Sequence, residues 1–193
     1  MDFLSELHPL EPFFPSGAKL LMLGSFPPQK NRWSMDFYYP NLQNDMWRII
    51  GLIFYGDKDY FLLETKKAFC KERICRFLEE KGIALSDAAR EIIRQKGNAS
   101  DKFLEVVTPI DIRKALQCLS DCRAIVTTGQ KATDTVLELL LVAEPKVGGY
   151  CEFDYSGRRM RLYRMPSSSR AYPKPLHEKA AVYEHMFREL GLL

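Results

Sequence analysis

Three short apolar runs stand far apart along the chain: Lys19–Gly24, Gly82–Asp87 and Ala124–Gly129. A continuous apolar run bounded by glycine or polar residues reads as a strand buried on both faces, as in a parallel sheet. Between the runs the period changes. Met46, Ile49, Ile50 and Ile53 recur at helical spacing behind Asn44-Asp45. Phe69, Ile74, Phe77 and Leu78 give a helix over Glu64–Lys81 one apolar face, with Gly82 as its stop. The pattern predicts further helices over Ala88–Lys96, Asp111–Leu119, Ala132–Ala143 and Leu176–Leu190. Tyr150–Tyr155 and Arg159–Met165 alternate around Ser156-Gly157 and read as a hairpin. Strands alternating with helices predict one α/β domain over residues 1–193, a sandwich around a mostly parallel sheet. No internal repeat interrupts it.

In such a sandwich, ligands bind beyond the carboxyl ends of the strands. Three segments fall there: Gly24–Pro28, Ser86-Asp87 and Pro166–Ser169. The segment from Ser25 to Pro40 is rich in proline, asparagine and aromatics. A loop of that length inside a compact domain is usually functional. It leads to Asn44, where a helix begins. Asn44 fits a helix N-cap as well as a site residue, and Asp87 fits a cap for the helix expected after it. Phe26 suits either the core or a base-stacking platform. Met165-Pro166-Ser167-Ser168-Ser169-Arg170 sets three hydroxyls and a guanidinium directly after a strand, a composition suited to phosphate oxygens. Gly24-Ser25-Phe26-Pro27-Pro28 lacks the glycine spacing of phosphate-binding loops, so nucleoside triphosphates and dinucleotides lose their main support. No nucleophile elbow supports acyl transfer.

Composition narrows the class. The 193 residues are 46% hydrophobic and 27% charged, which excludes a disordered or fibrous chain. No apolar stretch approaches the ~20 residues of a membrane span. The net charge of +3 is unevenly spread. Residues 1–18 carry Asp2, Glu6 and Glu11 and no Lys or Arg. Residues 158–174 carry Arg158, Arg159, Arg161, Arg164, Arg170 and Lys174 and no acid, which favours a polyanionic partner, with a solvated strand face as the bland alternative. The five cysteines (Cys70, Cys75, Cys118, Cys122, Cys151) form no CxxC pair, and the three histidines are scattered. No metal site is expected, and the thiols read as reduced residues of a cytoplasmic protein.

Four motifs in order carry a resemblance. They are Leu21-Met22-Leu23-Gly24-Ser25-Phe26-Pro27, then Tyr38-Tyr39-Pro40-Asn41-Leu42-Gln43-Asn44-Asp45-Met46-Trp47, then Gly82–Asp87, then Met165–Ser169. Over about residues 19–187 the chain resembles the uracil-DNA glycosylase superfamily, most nearly its hypoxanthine- and mismatch-specific branch. The resemblance implies a three-layer α/β/α sandwich with a central sheet of four parallel strands. It implies hydrolysis of the N-glycosidic bond of a deaminated base (hypoxanthine, uracil or xanthine) flipped out of DNA, with no metal or cofactor.

Carried over by position, the resemblance makes Asn44 the catalytic residue that holds the water or the base. Gly24, Ser25, Phe26, Tyr39 and Asp87 bind the substrate, Phe26 by stacking and Asp87 by reading the base edge. Ser167 and Ser168 grip the flanking phosphates, and the basic block read from the charge pattern adds Arg170 and Lys174, with Ser169 between them, as expected DNA contacts. The expected partner is DNA with a deaminated or mismatched base, bound by a monomer that uses no membrane. The pattern also departs from the commonest members. Phe26 stands at their water-activator position, Met165 at their histidine and Ser169 at their leucine wedge, departures that the hypoxanthine branch shares. Pro28 and Leu42 replace that branch's Gly and Pro. Two other readings stay open: a catalytically silent nucleic-acid-binding relative, and a nucleoside or nucleotide hydrolase.

Overall fold

The computed structural model describes residues 4–95 and 101–193. The polar stretch Gly97–Ser100, the last residue of the helix expected over Ala88–Lys96, and Asp2 of the acidic N-terminus lie outside the described residues. Among the described residues, eight strands and five α-helices run in the order β1 (Ser5–Leu7), β2 (Leu20–Gly24), α1 (Met46–Tyr55), α2 (Lys71–Lys81), β3 (Ile83–Asp87), β4 (Ala89–Arg94), β5 (Leu104–Pro109), α3 (Ile112–Cys118), β6 (Ala124–Thr128), α4 (Gln130–Leu140), β7 (Tyr150–Tyr155), β8 (Arg158–Met165) and α5 (Leu176–Glu189).

The central sheet has the order β3-β2-β6-β8-β7. The first four strands are mutually parallel, and β7 is added antiparallel to β8. The sheet therefore has five strands where four were expected, because the hairpin's first strand pairs at its edge. The three apolar runs form β2, β3 and β6, and every residue of each is buried. Alternate side chains enter two cores. Leu20, Met22, Ile83, Leu85 and Val126 pack with Trp47 and Ile50 of α1, Phe77 of α2 and Phe187 of α5. Leu21, Leu23, Ala84 and Ile125 pack with Leu116 of α3 and Val136 of α4. Helices thus cover both faces, as the period-2 alternation of a fully buried strand requires.

Two expectations are overturned. The segment expected as a helix over Ala88–Lys96 is strand β4, the centre of a second, antiparallel sheet ordered β1-β4-β5. The helix expected over Glu64–Lys81 begins at Lys71. Ahead of it Leu62 and Phe69 form an antiparallel bridge, and Lys66 takes a left-handed φ of 54°. Phe69 still reaches the core, but from this turn.

Both glycine-marked ends behave as read. Gly82 closes α2 in the left-handed conformation at φ 66°, and Gly129 joins β6 to α4 at φ 103°.

Candidate functional site

A cleft of about 1130 Å³ opens at the carboxyl ends of the parallel strands. It is bordered by Gly24–Pro28 after β2, Asp87 at the end of β3, Thr128-Gly129 after β6 and Met165–Arg170 after β8. Tyr39 and Asn44 enter from the long loop. Ten of the eleven expected site residues therefore line one cleft. The exception is Lys174, which faces Glu178 at 3.4 Å on α5.

Asp87 ends β3 directly beside Gly24 in the parallel register. A Cβ on Gly24 would collide with Asp87 Oδ1 and stand 3.2 Å from the Tyr39 hydroxyl, so only glycine admits both side chains here. Asp87 does not cap a helix, since a strand follows it. Its Oδ2 instead accepts from His8 Nε2 at 2.8 Å. Both side chains are buried. The Tyr39 hydroxyl pairs with Thr128 Oγ1 at 2.8 Å. Burial, and then the Asp87 charge, hold that phenol protonated far above the usual range. Tyr39 itself sits at φ 52°, a strained conformation for a non-glycine residue.

Asn44 adds a single β-bridge to Ser169. Neighbouring backbone bonds extend it: Asp45 N–H donates to Ser168 O at 2.8 Å and Arg170 N–H to Gln43 O at 3.1 Å. Asn44 Oδ1 accepts from Met46 N–H at 2.9 Å, at the start of α1. Its oxygen thus serves the helix, and among the described residues its amide N–H₂ has no partner. Asp45 anchors the same junction. It is buried and meets Arg170 at 2.9 Å, Arg48 at 3.7 Å and Lys179 at 3.8 Å. Lys179, buried, also donates to Ser169 O at 2.7 Å.

Phe26 satisfies both readings in part. Its ring is 8% exposed and packs on Ile92 and Leu104, yet it borders the cleft. Ser168 is 3% exposed, with its carbonyl committed to Asp45. Ser167 and Ser169 use their hydroxyls as acceptors for Ser169 N–H and Ala171 N–H. The loop is stiffened by its own side chains.

The basic block is not one surface. Arg158 donates to the Leu116 and Leu119 carbonyls at the end of α3, and Arg159 and Arg161 pair with Glu152 on β7. Only Arg164 and Arg170 of the six reach the cleft. Strand alternation separates residues that are adjacent in sequence. Other cations replace them: Arg32, Arg94, Lys102 and Lys131 also border the cleft. Among the described residues, six basic side chains thus line the cleft with three carboxylates, those of Asp87, Asp101 and Asp134.

Asp101 and His8 had no signal in the sequence. Asp101 accepts from Ser25 Oγ at 2.6 Å, and burial followed by the charge of Asp87 raises its carboxyl above the ordinary value. His8 lies among acidic and apolar residues that carry no motif. Among the described residues no cluster of His, Cys, Asp and Glu could hold a metal, and all five cysteines are free thiols. No described helix is long and apolar enough to cross a membrane.

No protein-family model and no curated protein matches the chain. Among solved structures, it is similar to the solution NMR structure of a protein from Methanosarcina acetivorans provisionally described as a uracil DNA glycosylase. The two superpose with a TM-score of 0.63 at 20% identity, over 97% of this chain and 99% of that one. The chain has the same fold.

Proposed function

We propose that the chain is a monofunctional DNA glycosylase of the uracil-DNA glycosylase superfamily that excises a deaminated base. The observation that carries this reading is the cleft itself. A carboxylate stands at its floor, Asp87, and cations dominate its rim, at the strand ends where α/β sandwiches bind ligands. A cationic rim attracts the phosphate backbone, and a deep floor suits a nucleotide turned out of the stack. The shared fold with the Methanosarcina protein supports the same class of activity.

In this reading Asp87 accepts from the ring N–H of hypoxanthine, xanthine or uracil, because an ionised carboxylate only accepts. Phe26 borders the base, and Asn44 directs its amide to the attacking water or to the base. The bond from C1′ to the base nitrogen breaks, its electron pair leaves with the base, water oxygen bonds to C1′, and the proton that this water loses passes through solvent to the departing base, leaving a 1′-hydroxyl sugar and the neutral base. The negative charge of the cleft carboxylates favours the cationic sugar that develops, and preorganised donors favour the departing base. Arg170, Arg164, Ser167 and Ser169 hold the flanking phosphates. Residues of these types need no metal for such a step.

The test is a panel of labelled duplexes carrying uracil, hypoxanthine, xanthine or mismatched thymine, scored by strand scission in hot alkali after incubation. Scission at a deaminated base supports the reading. Salt-sensitive binding without scission at any lesion would make the chain a silent relative. Turnover of free nucleosides alone would make it a nucleoside hydrolase.

A further inference from the structure

His8 lies outside all four motifs, yet its side chain is wholly buried beneath the cleft. The short strand β1 delivers it: Leu7 pairs with Glu91, and His8 N–H continues the ladder to Arg90 O at 2.8 Å. The imidazole meets Phe26 edge-on at 5.1 Å and stacks on Tyr38 at 5.9 Å. Packing alone does not call for a histidine here. A hydrocarbon ring would fill the same space without taking two polar groups out of water.

The hydrogen bonds define what the imidazole does. Its Nε2 stands 2.8 Å from Asp87 Oδ2. A carboxylate has only lone pairs to offer, so Nε2 carries the proton. Nδ1 then accepts from Leu10 N–H at 3.1 Å, while Leu10 O, at 2.9 Å, offers an acceptor should the ring take a second proton. In either state Nε2–H donates to Asp87. The bond fixes the carboxylate plane and engages Oδ2. Oδ1 is left against Gly24, and both residues line the cleft.

We infer that His8 is a positioning and specificity-determining residue: by donating to Asp87 it keeps that carboxylate an acceptor and so selects a flipped base whose ring nitrogen carries a proton. Adenine and cytosine present a lone pair at the corresponding ring nitrogen, which a fixed carboxylate repels. Hypoxanthine, xanthine and uracil present N–H there. The inference rests on the glycosylase reading and adds to it the residue that imposes the choice.

The test compares wild type with His8→Phe, His8→Gln and His8→Asn. Phenylalanine keeps the ring and loses the donor. Glutamine places an amide N–H near the position of Nε2, and asparagine is one methylene too short to reach it. Single-turnover base release is measured from duplexes carrying hypoxanthine or uracil, with adenine as the control, alongside thermal melting and affinity for an undamaged duplex. The expected result is a folded His8→Phe enzyme that releases base about ten- to a hundredfold more slowly and discriminates less against adenine, with unchanged affinity for undamaged DNA. His8→Gln should recover most of the rate and His8→Asn should not, a comparison that decides the matter even if His8→Phe fails to fold. Release by folded His8→Phe at the wild-type rate and selectivity, or equal rates for Gln and Asn, overturns the role of His8 alone. Failure of the wild type to release any base overturns the glycosylase reading and this inference with it.

Discussion

Replacing Asn44 with aspartate separates two duties that one side chain performs. Oδ1 accepts from Met46 N–H at the start of α1, and Asn44 also lines the cleft. Aspartate keeps an acceptor in the same place, and an added negative charge at a helix N-terminus is favourable by roughly 0.3–1 kcal/mol. The nearby cations Arg170, Arg48 and Lys179 around Asp45 also tolerate it. The thermal midpoint of Asn44→Asp should therefore stay within a few degrees of wild type. Asn44→Ala, which loses the acceptor, should cost about 1 kcal/mol. Chemistry should behave in the opposite way. Loss of one preorganised donor to a developing charge costs roughly a hundredfold or more in rate, about 2.7 kcal/mol. Both variants should then release base at least a hundredfold more slowly in single-turnover assays, although only Ala is destabilised. If Asn44→Asp cleaves as fast as wild type, the amide has no part in the chemistry and Asn44 is only a cap.

Three further outcomes follow from the same geometry. Gly24→Ala must push aside Asp87 or Tyr39, so chemical denaturation should show a loss of roughly 1–3 kcal/mol together with a slowed base release. Arg170→Ala should flatten the logarithmic salt dependence of DNA binding by about one unit, whereas Arg158→Ala, far from the cleft, should leave the slope unchanged; equal slopes for the two variants would refute the placement. Asp101 has its carboxyl raised by burial, so the folded state favours its protonated form. Its contribution is complete below the ordinary value of 3.8 and is lost as pH rises through the raised one. Asp101→Asn, which can still accept from Ser25, should therefore melt higher than wild type at pH 7 and lose that advantage near pH 4.

Much of this architecture is legible in the residues. The runs at Leu20–Gly24, Ile83–Asp87 and Ala124–Thr128 are buried on both faces, so hydrophobic continuity alone marks them. Strand β4 is not legible for a specific reason. Four of its six residues, Ala89, Arg90, Glu91 and Arg94, are good helix formers, and register shifts between Ala89 and Ile92 break the alternation, leaving burial at every third residue. Pairing with β1 on one side and β5 on the other overrides that local preference. The start of α2 fails similarly, because Phe69 is buried at helical phase from a turn.

The site divides along the same line. Gly24, Asp87, Asn44 and the serine loop lie at strand or helix ends, where position can be inferred from local pattern. His8 and Asp101 come from the second sheet's side of the molecule and meet the cleft only through tertiary pairing. The basic block illustrates the converse: Arg158 to Lys174 is contiguous in sequence, but strand alternation and the hairpin send its members to different surfaces.

The role of Asp87 in base excision is tested most directly by mass-spectrometric identification of what the wild-type protein releases from duplex DNA, run beside Asp87→Ala. A glycosylase of this kind yields free hypoxanthine, xanthine or uracil, each with one abasic site left in an otherwise intact strand, and a release that Asp87→Ala abolishes or makes indifferent to the ring N–H. Release that Asp87→Ala leaves unaltered in rate and choice of base, or intact duplex with every lesion, would contradict that role.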